Sequence, residues 1–94
     1  MPAQIRRYEL DPQHLDEWLT FFPELTSVRA TFGFRLLAAY LDRANHEFTW
    51  IVAHDRPFAE VEATYSVSPE RTALFSGRPK FARAMHVAEV ETIA

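Results

Sequence analysis

The sequence contains no cysteine. That excludes a disulfide framework, a thiolate metal ligand and a thiol nucleophile. It has only two glycines, Gly33 and Gly77, and nothing in it resembles a phosphate-cradling loop, a dinucleotide fingerprint or a nucleophile elbow. No run of about 18 apolar residues is present to form a membrane-spanning helix. The opening residues, Met1-Pro2-Ala3-Gln4, are not followed by the apolar stretch of a secretory signal, so a soluble cytoplasmic protein is the expectation. There is no block of like charge, and the net charge is −3. Neither nucleic acid nor an anionic membrane is therefore expected as a partner. Lysine is almost absent: Lys80 is the one lysine among ten basic residues. This arginine bias hints at a GC-rich, bacterial genome.

What is present is apolar matter. Hydrophobic residues make up 48% and aromatics 14% of 94 residues, enough for a packed core and unlike a disordered chain. The length predicts one domain, 1–94, with a small core and marginal stability alone. The densest stretch is residues 36–55, LLAAYLDRANHEFTWIVAHD. Two apolar runs flank a polar break at residues 42–46 and read as a β-hairpin. Both runs are apolar at almost every position, which predicts central strands covered on both faces.

The remaining elements follow from periodicity and punctuation. Residues 5–10 read as the first strand. Asp11 is placed as an N-cap with Pro12 at the first helical position. Leu15, Trp18, Leu19, Phe22 and Leu25 form a helical stripe, with Pro23 expected to kink or split the helix near Phe21. Gly33 supplies a left-handed stop. Strands are predicted over residues 34–41 and 47–54, and a second helix from about residue 55 with Phe58, Val61, Glu62 and Tyr65 inward. Ser68-Pro69 should cap a short third helix running to about Phe75. A last strand is expected over residues 83–93. The order strand, helix, strand, strand, helix, strand predicts an α+β, ferredoxin-like βαββαβ fold: a four-stranded antiparallel sheet with helices on one face.

Two helices cover one sheet face only. With the hairpin turn at Asn45-His46 or its neighbour, Leu37, Ala39, Leu41, Phe48, Trp50, Val52 and His54 share one side. Phe34, Leu36, Ala38, Tyr40, Thr49, Ile51 and Ala53 share the other; a three-residue turn would exchange the sets on one strand. Neither side is polar, and soluble monomers rarely leave such a surface in water. A four-stranded face covers on the order of 400 Å². Burying two such faces yields on the order of 20 kcal/mol gross, against an association cost of roughly 4–15 kcal/mol. A two-fold homodimer packed sheet to sheet is the expectation.

Tyr8 in the first strand, Gly33-Phe34-Arg35 at the helix-to-strand corner, residues 45–50 (NHEFTW) in the hairpin, and Tyr65 followed by Ser68-Pro69-Glu70-Arg71 resemble the NIPSNAP-like family. The resemblance spans about residues 5–93. It implies a ferredoxin-like subunit in a dimeric α/β barrel. It places the chain beside cofactor-independent monooxygenases, haem-degrading enzymes and binding proteins of the wider superfamily. His54 stands where the family favours an aromatic residue, and Pro23 interrupts the first helix.

These readings nominate a few side chains. His54 is the candidate catalytic base toward a phenol or enol proton; alternatively it is a half-solvated strand-end residue. Tyr8, Trp50 and Tyr65 are candidates to line a pocket for a small, partly aromatic ligand, or to form core. Arg35 could clamp a carboxylate or phenolate, or pair with Glu9 or Asp55 at the surface. His86 could face His54 or the helices. No metal-ligand spacing is evident, and neither a metal nor another cofactor is expected. Three functions remain open: a small-molecule-binding barrel, a cofactor-independent oxygenase or isomerase using His54, and a protein-interaction module.

Overall fold

The computed structural model describes residues 2–94. The chain runs β1 (Pro2–Leu10), a 3-10 turn (Pro12–His14), α1 (Leu15–Thr31), β2 (Arg35–Asp42), β3 (Glu47–Ala53), α2 (Phe58–Ser66), α3 (Pro69–Phe75) and β4 (Ala82–Glu91). The four strands form one antiparallel sheet in the order β2-β3-β1-β4, the ferredoxin-like arrangement read from the sequence. The helices lie over one face. β1 begins earlier than predicted, and β4 stops before Ile93.

Local chemistry explains the boundaries. Asp11 accepts a hydrogen bond from Gln13 N at 3.0 Å, so it caps the 3-10 turn that leads into α1 rather than α1 itself. Ser68 Oγ accepts from Arg71 N and opens α3, with Pro69 at the first position. Gly33 takes φ +92° at the end of α1, and its N–H donates to Ala30 O. Residues 43–46 close the hairpin in place of the two-residue turn expected, with His46 at φ 55°. Within that turn the Asn45 side chain, and then its backbone N–H, donate to the Asp42 carboxylate and hold its pKa below the ordinary 3.8.

α1 is one continuous helix through Pro23. Its buried stripe, Leu15, Trp18, Phe21, Leu25 and Arg29, grips the sheet on both sides of the proline, and tertiary packing outweighs the one missing backbone donor. Trp18 is the hub of the core: its ring lies 5.5–6.0 Å from those of Tyr8, Phe21, Phe22, Phe48 and Phe81, distances at which tilted aromatic pairs attract.

The hairpin register is Leu41↔Phe48, Ala39↔Trp50 and Ala38↔Ile51, then Leu36↔Val52, with Leu37 as an inserted bulge residue. Ala39, Leu41, Phe48, Trp50 and Val52 share the helix-covered side as expected. The bulge shifts the parity beyond it. Leu36 replaces Leu37 opposite Val52, and Phe34, expected on the far side, is buried against Tyr65 and His54. The opposite face carries Ile5, Arg7, Ala38, Tyr40, Thr49, Ile51, His86, Ala88 and Val90. Tyr40 is 63% exposed. Among the described residues no helix lies over this face.

Candidate functional site

Between the sheet and the three helices lies a cavity of about 380 Å³, within the range of small-molecule sites. Period-two alternation on β1 and β3 aims Arg6, Tyr8 and Trp50 at it. Spacings of seven and four on α1 bring Trp18, Leu25 and Arg29 to its wall. α2 contributes Glu62 and Tyr65, α3 contributes Arg71 and Phe75, and residues 79–82 with Met85 complete it.

The polar part of the wall is mostly cationic. Arg6, Arg29, Arg71 and Lys80 face one carboxylate, Glu62. Arg29 is 3% exposed, and its Nη2 donates to Glu62 Oε1. The same oxygen lies 3.4 Å from Arg6 Nη1. Arg6 also donates to Gln4 Oε1 at 2.7 Å and from Nε to Tyr8 Oη at 2.9 Å. The Trp50 ring has both guanidinium carbons 5.2 Å from its centroid. Arg29 lies 4.1 Å from the Phe34 ring and 4.8 Å from that of Tyr65. These are cation–π distances that partly replace lost hydration. Burial pushes the Tyr65 hydroxyl pKa above 10.0, opposed by the charges of Arg29 and Arg71, so the group is a protonated donor at neutral pH.

Among the described residues, four buried side-chain polar atoms have no hydrogen-bond partner: Trp18 Nε1, Trp50 Nε1, Arg29 Nε and Tyr65 Oη. All four belong to residues of this cavity. Buried polar atoms are nearly always satisfied, so four orphans on neighbouring residues are unusual.

The nominated residues divide sharply. Tyr8, Trp50 and Tyr65 come together on the cavity wall. His54 does not join them. It is buried outside the cavity, with Nε2 2.7 Å from Phe32 O and Nδ1 accepting the Arg56 N–H at 3.0 Å. The neutral ring therefore donates through Nε2 and has no lone pair left for a substrate proton. Arg35 lies on the surface, donating to Asp55 at 2.9 Å. His86 stands on the uncovered face of β4, in a shallow depression beside Ile5 and Arg7, and does not face His54. No group of three or more His, Asp or Glu side chains is placed to hold a metal ion among the described residues.

Arg6 and Arg29 are the functional residues sequence reasoning missed. The signal for Arg29 is its position four residues after Leu25, inside the apolar stripe of α1. Arg6 sits two residues from Tyr8 and so on the same side of β1.

No protein-family model matches the sequence, and no curated protein matches it. Solved structures do. An uncharacterised NIPSNAP domain protein from Burkholderia xenovorans superposes at TM-score 0.82 with 13% identity, over 100% of this chain and 96% of that one. A NIPSNAP family protein from Agrobacterium tumefaciens gives 0.80 with 12% identity, over 96% and 90%. An antibiotic biosynthesis monooxygenase gives 0.70 with 16% identity over the whole of both chains. At such identities the likeness is one of fold: this chain has the ferredoxin-like fold of NIPSNAP domain proteins, shared with the monooxygenase.

Proposed function

We propose that the protein binds a small, partly aromatic molecule in the cavity between sheet and helices, and does so as a two-fold homodimer joined through the uncovered sheet faces. The cavity carries the binding reading, supported by a wall whose residues include every one that holds a partnerless buried polar atom among the described residues. Aromatic walls from Tyr8, Trp18 and Trp50 supply the flat apolar surface that a ring needs. An interaction module with a solid interior would have no use for such a space. Base catalysis by His54 finds no support in the geometry, because both ring nitrogens are held by backbone groups.

The protein carries its own reporter. Its two tryptophans, Trp18 and Trp50, both line the cavity. Titration with 4-nitrobenzamide and with 4-nitrobenzoate, aromatic quenchers that differ in charge, should quench tryptophan emission in a saturable manner. Ser66→Phe, which places a ring at the cavity wall, should remove the saturable component. Quenching that rises linearly without a plateau, as by random collision, would refute the site.

A further inference from the structure

The four partnerless atoms have one chemical trait in common. Indole Nε1–H and guanidinium Nε–H can only donate, and the buried Tyr65 hydroxyl stays protonated and can donate too. These donors, with nothing to receive them, sit on residues of the cavity wall. A neutral amide or alcohol brings a donor of its own, which would meet more donors. An ionised carboxylate brings acceptors alone.

The charge pattern agrees. Four cationic side chains line the wall against one carboxylate. That carboxylate serves Arg29 and Arg6 through a single oxygen. Glu62 is also the less buried partner, with its side chain 26% exposed against 4% for Arg29. A buried guanidinium without full compensation is costly. On Arg29 the adjacent donors Nε and Nη2 form one edge of the fork. Nη2 is engaged by Glu62 and Nε is not, so half of the edge that seats a carboxylate in two parallel hydrogen bonds is open.

We infer that the ligand is an aromatic carboxylate of one or two rings, its carboxylate held among the cationic side chains of the wall, where a small turn of Arg29 and Tyr65 presents the unused Nε–H and hydroxyl donors, and its ring lying among Trp18, Trp50 and Tyr8. This rests on the binding reading above. The cavity volume, at the lower end for small-molecule sites, sets the ring count.

The two nitroaromatic probes test it directly, by tryptophan quenching at pH 7.5. 4-Nitrobenzoate should bind about tenfold or more tighter than 4-nitrobenzamide, the value of one charge-assisted hydrogen bond. Arg29→Met replaces the buried guanidinium with an apolar chain of similar length and leaves Glu62 its contact with Arg6. It should bring the two affinities within about twofold. Glu62→Gln removes the internal competing carboxylate and should widen the preference for the acid by about threefold or more. It decides the matter should the arginine variant fail to fold. Equal affinities in the unaltered protein, a preference that survives Arg29→Met, or a preference that Glu62→Gln narrows would overturn the carboxylate while leaving the cavity as a binding site. Binding of neither probe would overturn both.

Discussion

Tyr65 shows what a single buried hydroxyl does in this protein. Its ring closes the packing of α2 against Phe32 and Phe34, while its oxygen lacks a partner. Deleting an unsatisfied buried group lifts a desolvation penalty, so Tyr65→Phe should stabilise the ligand-free protein by about 1 kcal/mol. The pH dependence has a defined sign. Burial raises the folded pKa above 10.0, the value of the unfolded chain. Above that pH the unfolded state loses a proton that the folded state keeps, so stability falls as pH rises past 10 toward the folded value. Urea unfolding at pH 8 and 10.5 should show a steeper loss in the parent than in Tyr65→Phe; equal losses would contradict the assignment. Tyr8, Trp50 and Tyr65 were legible as cavity residues because strand alternation and helical spacing fix the direction of a side chain. Arg6 and Arg29 were not, because a charge inside an apolar pattern is ordinarily surface. Only the assembled rings of Trp50, Phe34 and Tyr65 reveal what shelters them.

At the scale of elements, His54 is a latch between the end of α1 and the chain leaving β3. Its ring donates to Phe32 O and accepts from Arg56 N. It lies so near Gly33 that a Cβ there would come within 2.8 Å of Nε2. Removing the ring leaves the half-buried Phe32 carbonyl and the Arg56 amide without this partner. His54→Ala should therefore cost about 2–4 kcal/mol in urea unfolding, yet leave 4-nitrobenzoate affinity of the folded fraction within about threefold. Loss of binding at unchanged stability would return His54 to the site. The element order was readable because Gly33, Ser68 and Pro69 punctuate the chain by rules of backbone geometry. The fate of Pro23 was not. Whether a helix survives a proline depends on how firmly its two halves are held, and Trp18, Phe21, Leu25 and Arg29 hold them. For His54 the sequence supplied the correct side of β3. It could not show that α1 ends where its carbonyl meets the imidazole.

For the whole molecule, the decisive surface is the sheet face without helices. Ile51 sits at its middle, paired with Ile5 on β1 and Ala38 on β2. Light scattering at tens of micromolar should give twice the chain mass for the parent protein. Ile51→Glu, which places a charge at the centre of the apposed faces, should give the chain mass with the strand and helix content kept. A parent protein that scatters as a single chain would end the dimer proposal. The largely apolar runs 36–41 and 48–53 are what raise the expectation of a cover for this face, which in the structure carries Arg7, Thr49 and His86 beside Ile5, Ile51 and Val90.

The inserted Leu37 in β2 has a consequence for how the sequence can change. On its C-terminal side, odd-numbered residues of the strand look toward the helices; on its N-terminal side, even-numbered ones do. The extra residue works like a frameshift written in side-chain direction. Phe34, a wall of the Arg29 site, owes its inward aim to that offset. A chain one residue shorter in this strand would have to respell the whole corner from Gly33 onward to keep a ring beneath the guanidinium, so strand length here and the packing around Arg29 are tied together.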